Sequence, residues 1–145
     1  MSMGDEFIND LSYDEKIVFL KVFCKLIKSD GNVSSSEIEF MKAVAKRYGI
    51  DNQTVVSIIR DLPLVDYVAE VQKITSRKHA LQLIKELCVL ANVDEDLHDA
   101  ELDIVVEVAH VLDIEEEKVV QINRWVLNNF VLAKVGRVIL ETDDD

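Results

Sequence analysis

The stretch from Ser12 to Arg60, SYDEKIVFLKVFCKLIKSDGNVSSSEIEFMKAVAKRYGIDNQTVVSIIR, decides the fold, because a second version of it follows without a gap. That version runs from Ser76 to Arg124 and reads SRKHALQLIKELCVLANVDEDLHDAELDIVVEVAHVLDIEEEKVVQINR. The offset is 64 residues. Identical pairs include Ser12/Ser76, Lys21/Lys85, Cys24/Cys88, Asp30/Asp94, Glu37/Glu101, Ala45/Ala109, Ile50/Ile114 and Arg60/Arg124. Helical apolar patterns match one another by chance at Leu and Val. They rarely match at Asp, Glu and Cys in one register, so the pattern predicts an internal repeat.

Periodicity sets the elements. Ser12 with Glu15 forms a capping box that opens the first helix. Ile17, Leu20, Cys24 and Ile27 make its stripe, and Phe19, Phe23 and Leu26 widen it, so this helix is buried on more than one side. Ser34 with Glu37 is a second capping box, and Gly49 a left-handed stop. Asp51 caps a short helix, and Asp61 with Pro63 restarts another at Leu64, with Val65, Val68, Val71 and Ile74 inward. The second half gives helices over about 78–91, 99–112 and from 116 onward. The last carries Val119, Ile122, Trp125 or Val126, Phe130, and Val135 or Ile139 inward, with Trp125 and Phe130 as core anchors.

The expectation is an all-α fold of about seven helices. Two pseudo-symmetric helix-loop-helix repeats, 12–60 and 76–124, share one core within a single domain over 12–140. Residues 1–11 form an N-terminal extension and 141–145 an acidic tail. Four glycines and one proline in 145 residues leave too few turn formers for a β-sandwich or barrel.

Sixteen Lys and Arg face 28 Asp and Glu, a net charge of −12. Such a surface repels phosphate backbones and anionic membranes, and no basic cluster offsets it, so nucleic acid is not an expected partner. No apolar run reaches transmembrane length, and no signal peptide opens the chain, so a cytoplasmic location is expected. Cys24 and Cys88 lie in apolar helical stretches and read as core residues.

Chemistry concentrates in the two interhelical loops. Asp30-Gly31-Asn32-Val33-Ser34-Ser35-Ser36-Glu37 and Asp94-Glu95-Asp96-Leu97-His98-Asp99-Ala100-Glu101 both fit D-x-x-[VL]-x-x-x-E. On one reading these acids cap helices, Glu37 pairing with Ser34 and Asp30 closing a turn. On the other, the loops converge, and Asp30, Glu37, Asp94 and Glu101 hold a divalent cation (Ca²⁺, Mg²⁺, Mn²⁺ or Zn²⁺), with Asn32, Asp96 and His98 in support. Converging carboxylates need a cation or raised pKa values. An EF-hand fails: a loop started at Asn92 puts Leu97 where Gly belongs and Asp103 where Glu belongs. His79 and His110 lack metal-ligand spacing and read as surface or half-buried helix residues.

The pattern K-S-D-G-N-V-S-S-S-E followed by M-K-A-V-A-K-R-Y-G-I resembles the tellurite-resistance TerB-like proteins. So does L-A-N-V-D-E-D-L-H-D-A-E followed by V-A-H-V-L-D-I. A similar module forms the N-terminal domain of a membrane-anchored J-domain co-chaperone. The resemblance implies two helical hairpin units, a bacterial cytoplasmic setting, a link to tellurite or general stress resistance, and divalent-metal binding at Asp30, Glu37, Asp94 and Glu101. The second loop departs from the family pattern at Glu95, where glycine is usual, and at His98, where Ser or Thr is usual.

Three functional expectations follow. The first is a non-enzymatic cation-binding module that docks partner proteins, as a monomer or homodimer. The second is a metal-free interaction module whose acids only cap helices. The third is a carboxylate-based or metal-assisted hydrolase, which needs an enclosed acidic cavity.

Overall fold

The computed structural model describes residues 7–27, 35–93 and 99–141, with side chains at all of these except 36, 37, 93 and 99–102. The described residues form an all-α fold: α1 (Phe7–Asp10), α2 (Tyr13–Ile27), α3 (Ser35–Arg47), α4 (Asn52–Asp61), a 3-10 turn (Leu62–Leu64), α5 (Tyr67–Val71), α6 (Arg77–Val93), α7 (Asp99–Val111) and α8 (Glu116–Glu141).

Local chemistry sets several of the boundaries. The Ser12 amide donates to Glu15 Oε1 at 2.9 Å, and the Glu15 amide donates to Ser12 Oγ at 3.1 Å, closing the capping box of α2. The Thr54 amide donates to Asp51 Oδ1 at 2.8 Å at the start of α4. After α3, Gly49 turns left-handed (φ 73°), and the Ile50 amide reaches Ala45 O while the Gly49 amide reaches Lys46 O. That double closure satisfies carbonyls the helix leaves open. After α7, Asp113 (φ 59°) does the same with Ile114 to Ala109 and Asp113 to His110. Ser34, expected as a cap, lies outside the described residues.

α2 is the central helix, packed by α3, α4, α5, α6 and α7. Val18, Phe19, Leu20, Val22, Phe23, Cys24 and Leu26 are all buried in it. An aromatic cluster fills its upper half: Phe7, Phe19, Phe23 and Tyr48 lie with ring centres 6.0–6.3 Å apart, mostly tilted or edge-on. α6 plays the matching part beside α2, α7 and α8, burying Leu83, Ile84, Leu87 and Cys88. One spacing recurs through the fold. α2 and α6 start at Tyr13 and Arg77, α3 and α7 at Ser35 and Asp99, α4 and α8 at Asn52 and Glu116.

Three expectations need correction. The restart after α4 is at Tyr67, not Leu64, and its cap is Asp66, whose Oδ1 accepts from the Ala69 amide; Asp61 makes no capping bond. Pro63 opens the 3-10 turn instead, Leu64 and Val68 face outward, and only Val71 and Ile74 of the expected set are buried. Residues 7–11, expected as an extension, place Phe7, Ile8 and Leu11 in the core. In α8, Val119 and Val126 are buried and Ile122 and Phe130 pack partly, but Trp125, Val135 and Ile139 stay exposed. Trp125 is therefore not a core anchor.

Candidate functional site

Of the expected ligands, Asp30, Asn32, Asp94, Asp96 and His98 lie outside the described residues. Glu37 and Glu101 each stand third in their helices, α3 and α7, and their side chains also lie outside the described set. Among the described residues, no group of three or more His, Cys, Asp or Glu is placed to hold a metal ion.

The charges inside the fold are elsewhere. Glu70, Lys85 and Glu86 are buried. Glu86, on α6, accepts the Tyr48 hydroxyl at 2.9 Å and sits 3.2 Å from Lys85 Nζ and 3.7 Å from Arg47. Lys85 Nζ also lies 4.8 Å from the centre of the Phe7 ring. Glu70, on α5, bonds Lys21 and Lys73. Burial alone would raise the Glu70 carboxyl, but the two ammonium groups outweigh it and hold the pKa low. Both sites join one helix to another by a compensated charge, which is a structural use of buried ions. Sequence reasoning missed them, although the Lys21/Lys85 identity was a usable signal: both lysines sit on the central helices and both meet a buried carboxylate.

Neither cysteine offers a nucleophile. Burial pushes the Cys24 and Cys88 thiols up to about 12, so both stay protonated at neutral pH. A groove of about 430 Å³ runs between α5 and α7, with Lys25, Tyr67, Val71, Ile104, Val108 and Val111 among its walls. Lys25 Nζ stands 4.2 Å from the centre of the Tyr67 ring. The Tyr67 hydroxyl is buried with no hydrogen-bond partner among the described residues, and burial, with Cys24 beside it, raises its pKa. Its valine and isoleucine side chains form an apolar floor, with Lys25, Asp66, Glu107 and His110 also among its walls.

A further feature is the outer face of α8. The first half of this helix is anchored: Val126 is fully buried, and Asn92 of α6 donates to Asn123 Oδ1 at 2.8 Å. The second half leaves the body of the fold. Trp125 (50% exposed), Val131, Leu132 (70%), Val135, Val138, Ile139 (63%) and Leu140 all face outward. Between Lys118 and Leu140 there is no Asp or Glu, while Lys118, Arg124, Lys134 and Arg137 are basic. An apolar patch of this extent marks an interaction surface more often than it occurs on an isolated monomer. No helix among the described residues is long and apolar enough to cross a membrane.

No curated protein and no solved structure matches the chain. The sequence profile of a family described as Tellurite resistance protein TerB matches residues 16–124, from α2 into the first half of α8. The chain thus belongs to the TerB family.

Proposed function

We propose that the chain is a non-catalytic helical protein-interaction module of the TerB family whose docking surface is the outer face of α8. The observation that carries the reading is the run of exposed apolar side chains from Trp125 to Leu140 on a helix without an acidic residue between 118 and 140. Burying such a face would remove it from water at about 25 cal/mol per Å². The test is a photo-crosslinking amino acid at Val138, read in cells that express the protein at its native level. Adducts to a defined protein are expected, and adducts should vanish when Leu132 is changed to Glu. A chain that forms no adduct refutes the reading.

A cation at the acidic loops is a second reading. It is favoured by the common place of Glu37 and Glu101, each third in its helix and 64 residues apart. In it, Asp30, Glu37, Asp94 and Glu101 supply the hard oxygen ligands and Asn32, Asp96 and His98 support them. Calorimetric titration of chelator-stripped protein with Ca²⁺, Mg²⁺, Mn²⁺ and Zn²⁺, beside an Asp30→Asn/Asp94→Asn variant, decides it. Saturable binding by the wild type alone is expected; binding by neither protein reduces the acids to helix caps. The same spacing of helix starts, and the paired left-handed stops at Gly49 and Asp113, support two pseudo-symmetric halves within one core. A role in tellurite resistance fits the family description.

A further inference from the structure

Resting on the interaction-module reading, we infer that the partner of α8 is a second copy of this chain, paired through a parallel, in-register helix seam. Trp125, Asn128, Leu132, Val135 and Ile139 are spaced 3, 4, 3 and 4 residues apart, which is the spacing of a coiled-coil seam. All five are exposed. Val131 and Val138 flank the seam and are exposed too. The buried Val119 and Val126, and the half-buried Ile122 and Phe130, occupy the opposite side. The helix therefore has one face for its own core and a separate seam without charged residues turned away from it, with Arg124 in the row beside it.

Three observations point to a second copy. A twofold interface sets a patch against itself, so charged residues within it would repel their own images. The five seam positions contain none, and Arg124, in the flanking row of Val131 and Val138, stands at their edge. Elsewhere the chain is strongly acidic and opposes self-association, whereas residues 118–140 carry no acid that would add to that repulsion. Six apolar side chains of the face, Trp125, Val131, Leu132, Val135, Val138 and Ile139, stand 48–70% exposed, and the same face of a second copy would cover them with matching apolar surface. Asn128 gives the orientation. In a parallel pair in register it meets Asn128 of the second copy and the two amides satisfy each other. An antiparallel pair would bury it against aliphatic side chains.

Sedimentation of the full chain tests the inference. At about 100 μM the wild type is expected to sediment at twice its 16.5 kDa mass. Leu132→Glu, at a solvent-facing position, should keep its helical circular dichroism and weaken pairing about 100-fold. Added salt should tighten the wild-type dimer several-fold by screening the two acidic bodies. Ile139→Cys should form a disulfide-linked dimer on mild oxidation, because Cys24 and Cys88 are buried and give no background. A wild type at single-chain mass overturns the inference, as does a dimer indifferent to Leu132→Glu. An Ile139→Cys protein that crosslinks only to Trp125→Cys overturns the parallel register. A monomer that still forms Val138 adducts with another protein removes the second copy and keeps the interaction module. A monomer that forms none removes both.

Discussion

Glu15 Oε2 lies 2.8 Å from Nδ1 of His79, and the two residues hold the same place, third in α2 and third in α6. Each also donates its amide to a serine one turn earlier, Ser12 or Ser76. Residues 64 positions apart in the chain thus touch between α2 and α6. Burial would raise the Glu15 carboxyl, but the Ser12 amide and His79 outweigh it and lower its pKa below the usual 4.5. A carboxyl lowered by folding adds stability above its unfolded pKa and loses that contribution as pH falls through its folded value. Wild-type stability should therefore decline below about pH 4.5, and Glu15→Gln should flatten that decline while costing about 1 kcal/mol at neutral pH. Urea titrations at pH 7 and pH 3.5 check both signs.

The two left-handed stops predict opposite responses. Gly49 has open space where a Cβ would go, so Gly49→Ala meets backbone strain alone and should cost about 1 kcal/mol. Asp113 already bears that strain at φ 59°, so Asp113→Gly should gain up to about 1 kcal/mol. Thermal unfolding of the two variants side by side would show shifts of opposite sign.

Buried Glu86 is held by Tyr48, Lys85 and Arg47. Glu86→Ala should destabilise the fold by about 3 kcal/mol or more, because it removes the buried carboxylate that the Tyr48 hydroxyl, Lys85 and Arg47 share. Tyr48→Phe should cost about 1–2 kcal/mol, since it removes one hydroxyl bond and keeps the ring packing. Equal losses for the two variants would contradict this ranking.

Phe7 lies outside the family match yet packs against Phe19 and Tyr48. Phe7→Ala should cost about 3 kcal/mol, as for other buried aromatics. Equilibrium unfolding measures it, and a loss below 1 kcal/mol would make residues 7–11 a dispensable cover.

Boundaries set by a few neighbouring residues were legible in the sequence. The Ser12–Glu15 box, the Gly49 stop and the Asp51 cap each involve groups no more than a few residues apart. Features that depend on distant packing were not. α1 has four residues and holds its shape through the aromatic cluster rather than by its own propensity. The cap of α5 fell to Asp66 because burial of Glu70 and Val71 sets where that helix can start. Nothing beside Glu70 or Glu86 in the chain marks the Lys21 or Tyr48 that meets it inside, and the Lys21/Lys85 identity is the one sign of these sites in the sequence. Apolar spacing marked the second half of α8 as a face to be covered, but could not tell a core from another molecule.

Pro63 opens the turn that ends α4, and 64 residues later the chain has Leu127, with its amide available to continue the helix. The chain turns back after α4 and runs on through α8. Residues 127–141 extend α8 by about 22 Å. A proline at 127 would shorten that arm at its root, so a single backbone amide governs how far the molecule reaches from its own centre.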